Sequence, residues 1–215
     1  PYSGGGLGEK NFNGTEANRH MGGLDVFTDS IHANLNNPAS FGLLKLTTYS
    51  VGVNYSNNNL SSSTDSYNAD TASLDYLAVS IPAGIFGFSF GIMPYSSLGY
   101  KVESLSGLEG SETLNRYESS GGVNQTYLAV GIPITKFFAV GATANYNFGT
   151  LFYRTGQFLN GVDNGTFLSN QSSISGLSYL FSAQANFSIK NKYELQGMFS
   201  FQPKAPLNSQ NNRAF

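Results

Sequence analysis

Residues 177–189, Leu-Ser-Tyr-Leu-Phe-Ser-Ala-Gln-Ala-Asn-Phe-Ser-Ile, separate into two sets at alternate positions. Leu177, Tyr179, Phe181, Ala183, Ala185, Phe187 and Ile189 suit an apolar medium; Ser178, Leu180, Ser182, Gln184, Asn186 and Ser188 largely suit water. Successive side chains of a strand point to opposite faces, so the run reads as a strand with lipid on one side and water on the other. It exceeds the roughly 9–11 residues with which a tilted strand crosses a bilayer.

The alternation recurs outward from this stretch. Phe86, Phe88, Phe90 and Ile92 oppose Gly87, Ser89 and Gly91; Phe138, Val140, Ala142, Ala144, Tyr146 and Phe148 oppose Thr143, Asn145 and Asn147. Tyr193, Leu195, Phe199 and Phe201 oppose Glu194, Gln196, Ser200 and Gln202. Seven strands result, over 43–57, 72–81, 85–101, 123–134, 137–153, 175–190 and 193–202. Short turns follow the second, fourth and sixth. The long polar connections 58–71, 103–122 and 154–174 follow the others, the asymmetry of an outer-membrane barrel with short periplasmic turns.

Composition agrees. Of 215 residues, 40% are hydrophobic and only 11% charged, against roughly 25% charged in soluble domains. Ser, Asn, Gln and Thr facing a lumen explain how a chain so poor in charge has slightly negative mean hydropathy. A soluble β-sandwich, or a soluble β-rich surface-binding domain, also shows alternation. Long strands, low charge and tyrosines near the strand ends (Tyr55, Tyr95, Tyr100, Tyr153, Tyr193) favour the barrel. The expected fold is thus all-β: a transmembrane antiparallel β-barrel of the bacterial outer membrane, with lipid around it. The chain reads as a mature one whose export signal has been removed. Seven is an odd number, and an open edge cannot be satisfied in hydrocarbon, so the chain reads as the N-terminal part of a longer barrel.

The first 42 residues lack this pattern, so residues 1–42 read as a compact N-terminal hatch, with a short helix around Ser30–Leu35, and 43–215 as barrel wall. Pro38 restricts Asn37 and removes a donor, so Asn37-Pro38 is expected to end that helix in a rigid turn. Asp25, Asp29 and Arg19 are expected to form polar packing inside the barrel.

Catalysis and cofactors find no support. There is no cysteine. His20 and His32 have no acidic partner at ligand spacing, so no metal site is expected. Gly4-Gly5-Gly6-Leu7-Gly8 lacks the strand and Lys-Ser/Thr of a phosphate loop, and no Gly-x-Ser-x-Gly elbow frames a nucleophile. The net charge of -2 gives no reason to expect nucleic acid as a partner.

Arg19-His20-Met21-Gly22-Gly23 followed by Asn37-Pro38-Ala39-Ser40 resembles the start of FadL-type outer-membrane transport proteins, in the branch found in Bacteroidota. The segments 76–82 and 88–100 resemble that branch's second and third strands. The resemblance implies a fourteen-strand barrel, of which seven strands are half. It also implies a hatch or gate containing Arg19, Met21, Gly22, Gly23, Asn37, Pro38 and Ala39. The function it implies is passive uptake of hydrophobic small molecules, with a hydrophobic ligand as partner. The alternative is a non-transporting accessory or plug subunit beside a larger outer-membrane barrel, such as the type IX secretion translocon. The inward residues, mostly Ser, Asn, Gln, Gly and Thr, keep that alternative open.

Overall fold

A computed structural model describes residues 6–61, 66–107, 113–159, 165–190 and 192–214. The strands are β1 (Glu9–Lys10), β2 (Thr48–Ser61), β3 (Ser66–Ala83), β4 (Phe86–Ser106), β5 (Thr113–Pro133), β6 (Phe138–Leu159), β7 (Thr166–Ile189), β8 (Tyr193–Phe201) and β9 (Asn208–Ala214). Strands β2 to β8 pair antiparallel in chain order, and β9 continues the edge beside β7 beyond β8. The result is a curled half-barrel wall of seven strand positions, as the alternation predicts.

The strands are longer than expected. β4 to β7 run 21–24 residues, because much of the expected long connections is paired strand. Asn57↔Asp70, Lys101↔Glu118 and Arg154↔Ser169 are all cross-strand partners. The centres of those connections (62–65, 108–112, 160–164) and Asn191 lie outside the described residues, as do residues 1–5 of the glycine-rich start. The first strand begins at Thr48, not Leu43. After the seven expected strands, the tail beyond Gln202 adds a further strand, β9. The register sums differ by one across the break (Phe181↔Phe201, Ser175↔Asn208), so residues 202–207 insert one extra residue at the edge.

The continuous apolar exterior is confined to the lower half of the wall; above it single apolar residues such as Leu105, Phe152 and Phe167 are set among polar ones. Outward positions are apolar from Phe138 to Phe148 on β6 and from Leu177 to Ile189 on β7. Above that belt they become Ser175, Ser173, Gln171 and Ser169 on β7, and Asn124, Ser120, Glu118 and Arg116 on β5. Arg116 Nε pairs there with Glu103 Oε1 at 2.8 Å. A pairing irregularity between Pro94 and Ser96 reverses the parity of β4, so Gly87, Ser89 and Met93 face inward below it and Ser96, Leu98 and Tyr100 above it. Tyr100 and Tyr153 are therefore half-buried on the inner face rather than girdle residues; Tyr55 and Tyr193 do face outward, strongly exposed.

The helix of the N-terminal segment is not at Ser30–Leu35. It is α1 (Glu16–His20), where Thr15 is the N-cap, its Oγ1 accepting from the Asn18 amide at 3.4 Å. Pro38 does not end a helix. It starts the 3-10 helix Pro38–Leu43, because its fixed φ and missing N–H suit a first turn, where amides are unpaired anyway.

Candidate functional site

The N-terminal segment sits against the inner face of the half-barrel near the short turns. Its core is Ala33, Leu35, Phe41 and Leu44 packed on Tyr76, Ala78, Met93, Tyr127 and Ala129 from β3, β4 and β5. The 3-10 helix lies backbone-first on a row of inward glycines: Gly87↔Gly131 and Gly131↔Gly141 are cross-strand partners. A Cβ on Gly131 would come within 2.5 Å of both Gly42 N and the Pro38 carbonyl oxygen. On Gly87 it would strike the Phe41 carbonyl, and on Gly141 the Pro38–Ala39 peptide. Any larger residue would lift the helix off the wall.

The next position in that row is Ser182 on β7, partner of Gly141. Its Oγ accepts the Ala39 amide at 2.8 Å and donates to Asn37 Oδ1 at 2.9 Å. Asn37 Nδ2 donates to Gln184 Oε1 at 2.6 Å. Gln184 Nε2 donates in turn to Thr28 Oγ1, and to Asn186 Oδ1 at 2.9 Å. Asn37, Pro38, Ala39, Ser40 and Phe41 are all buried. The Asn-Pro-Ala turn is therefore bolted to β7 at two residues by fully satisfied polar groups, as burial of polar side chains requires.

Arg19, Met21, Gly22 and Gly23 form a separate part of the segment. Gly22 and Gly23 have φ of 73° and 81°, a conformation that favours glycine. Their amides close α1 by donating to the carbonyls of Arg19 at 3.0 Å and Asn18 at 2.7 Å. Met21 is the C-cap and half-buried. Arg19 does not pack with Asp25 or Asp29. Its Nη1 meets Glu16 Oε1 at 3.0 Å, its Nη2 meets Asp75 Oδ2 of β3 at 2.7 Å, and it stacks on Phe12 at 5.0 Å. The two motifs meet indirectly at the Asp25 carbonyl, which accepts from Asn34 Nδ2 at 2.8 Å and Asn37 Nδ2 at 3.4 Å, just past the Gly-Gly turn.

Two acids in the segment are perturbed in opposite directions. Burial raises the Asp25 carboxyl above its ordinary value, offset in part by the bond from Asn36. Asp29 is also partly desolvated, but bonds from the His32 and Ile31 amides and the His32 ring outweigh this and lower it.

An apolar patch also exists on the inner face, among residues that alternation makes mostly Ser, Asn, Gln, Gly and Thr. Leu98, Val123, Leu151 and Ile174 cluster above the belt, and Leu7 and Leu207 of the same chain pack over them. Beside them lies a trough of about 610 Å³ whose lining includes Tyr100, Tyr153, Leu168, Asn211 and Arg213. The patch escaped notice because its members were assigned to strand ends or connections, and because the reversal at Tyr95 was not foreseen.

Ser182, Gln184, Asp75 and the three glycines were not singled out from the sequence, although inward parity alone marks all but Asp75. Asp75 is skipped where β2 and β3 slip register (Gly52↔Tyr76, then Val53↔Leu74), and alternation does not announce such a slip.

The family whose model matches is described as BamG, and the match spans residues 1–215. No curated protein and no solved structure matches. The BamG match overturns the FadL-type assignment, and with it the uptake of hydrophobic molecules and the ligand that the assignment implied. The motifs that carried it are short pieces of turn chemistry. Met-Gly-Gly caps a helix and Asn-Pro-Ala starts a 3-10 turn, and neither geometry specifies a transporter.

Proposed function

The chain belongs to the BamG family, and from that premise we propose that it is a non-catalytic subunit of an outer-membrane protein biogenesis (Bam) complex. The carrying observation is the family match over all 215 residues. It favours the accessory-subunit alternative over transport, and it replaces the type IX translocon with the biogenesis machinery as the larger partner.

The architecture is compatible with such a role. An apolar belt on the outer face supports a lower wall in contact with the outer membrane; with that placement the two outermost strands are paired by further strands, because hydrocarbon cannot satisfy an open edge. The hatch is bonded to β7 through Ser182 and Gln184, to β8 through Gln196 and to β3 through Asp75. That makes it a brace for the wall, and Arg19, Met21, Gly22, Gly23, Asn37, Pro38 and Ala39 its structural elements.

The test is purification of the tagged, full-length protein from its own membrane in mild detergent, with depletion in parallel. Stoichiometric recovery with outer-membrane assembly components, and a fall in steady-state outer-membrane proteins on depletion, are expected. Recovery of the protein alone, with outer-membrane protein levels unchanged, overturns the proposal.

A further inference from the structure

The wall forks between β3 and β4. These strands pair only from Leu77↔Ile92 to Ala83↔Phe86. Residues 66–76 of β3 stay with β2, while β4 continues to Ser106, zipped to β5 through Ser106↔Thr113. Among the described residues, the β3-side edge of β4 beyond Ile92 carries only β1, through Lys10↔Ser96 and Glu9↔Ser97.

β1 shows how that edge is used. The Asn11 amide donates to the Tyr95 carbonyl at 3.1 Å, and Ser97 Oγ donates to Asn11 Oδ1 at 3.2 Å. Gly8, with φ of 92°, then turns the chain off the edge. A Cβ there would strike the Ser97 carbonyl, so the exit needs glycine. Beyond it Leu7 enters the inner patch, its carbonyl accepting from Ser96 Oγ at 2.5 Å, while the Gly6 carbonyl accepts from Tyr153 Oη at 2.6 Å. The chain's own strand thus leaves after two residues, and β4 runs on from Leu98 to Ser106.

The direction of the free groups follows from parity. The Tyr95 carbonyl points into the fork, so by strand alternation Ser97, Gly99, Lys101, Glu103 and Leu105 present their amides and carbonyls the same way. A row of that kind is a template for another strand. The β8–β9 edge is interrupted by Pro203 and Pro206, residues that cannot donate to a ladder, whereas β4 has no proline beyond Pro94. The fork opens above the apolar belt, where water can satisfy the edge until a strand arrives. That suits an exchangeable partner.

We infer that the β4 edge from Leu98 to Ser106 is a strand-addition site for an extended polypeptide segment of a neighbouring outer-membrane protein, antiparallel to β4 as β1 is. The inference rests on the proposed function only in that a neighbouring subunit supplies the segment.

Hydrogen exchange on the wild-type protein, isolated in detergent and within the purified native complex, tests it. The amides of Gly99, Lys101 and Glu103 should exchange roughly tenfold or more slowly in the complex than in the isolated protein. Gly99→Pro removes one fork-directed amide and leaves the β5 ladder whole, so it should lower recovery of the partner, while Gly99→Ala should not. Slow exchange already in the isolated protein means that its own residues cover the edge, and overturns the inference. Equally fast exchange in both preparations overturns it too, while leaving membership of the complex intact. Recovery with no partner at all overturns both.

Discussion

Asn37 and Gln184, 147 positions apart in the chain, meet through an Nδ2–H···Oε1 bond of 2.6 Å with both side chains sealed from solvent. A buried polar group that loses its partner keeps the whole cost of leaving water, about 1–3 kcal/mol. Asn37→Ala should therefore loosen the 3-10 helix, speeding exchange of the Ala39 and Ser40 amides by roughly five- to a hundredfold in hydrogen-exchange mass spectrometry. Unchanged exchange there would mean that apolar contacts of Phe41 alone seat the hatch.

The glycine row sets a second expectation. Gly131→Ala and Gly141→Ala place a methyl group where the backbone of residues 38–42 lies, and the backbone cannot rotate away as a side chain can. Each should displace the hatch and expose it to limited proteolysis. Gly197→Ala, whose Cβ would meet nothing within 4 Å, is the matched control and should leave cleavage unchanged. Equal resistance in all three variants would contradict the cradle.

Much of this wall could be read from alternation alone, because an apolar outer face and a largely polar inner face impose period two on every strand of the belt. Leu177–Ile189 and Phe138–Phe148 carry that signal at full strength. It fades above the belt, where the outward positions are polar too, and Ser169–Ser175 and Gly122–Glu118 look like loop for that reason although they are paired strand. The hatch was legible as an absence of period but not in detail. Residues such as Asn18, Asn34 and Asn37 hold it by bonding backbone carbonyls and distant strands, and these contacts leave no periodic trace. Function was the least legible level. Arg19–Gly23 and Asn37–Ala39 are answers to local capping problems, and similar local solutions can serve unrelated activities.

Asp25 supplies a pH prediction. Its folded-state pKa is raised by burial above the ordinary value of 3.8, so the folded hatch binds the proton more readily than an unfolded one. The stabilisation gained by protonation is fully present below the unfolded value and is lost as pH rises through the folded one. Acidification from about pH 7 towards about pH 4 should accordingly tighten the hatch through this residue. Below 3.8, protonation of Asp29, whose pKa is lowered, removes stability again. Asp25→Asn keeps an acceptor for Asn36 without the charge. It should resist proteolysis at neutral pH at least as well as wild type, and should flatten the upper limb of the profile. A variant that weakens the hatch at neutral pH would show that the charge itself is needed.

The belt gives the most direct test of where the wall sits. Phe90, Leu128, Ala144 and Tyr179 form one outward cross-strand row. Gly122, Thr150, Ser173 and Gln210 form another, six residues further along β7, or about 20 Å at strand rise. An arginine on the lipid face costs about 2–4 kcal/mol at the bilayer midplane and almost nothing beyond the interface. Leu128→Arg should therefore impair folding into the outer membrane, read as loss of the heat-modifiable band in cell envelopes, while Ser173→Arg should be tolerated. A β-sandwich exposed to water would accept both substitutions, since Leu128 is already 60% exposed. Impairment by Ser173→Arg alone would mean that the upper wall, and not the belt, is the buried surface.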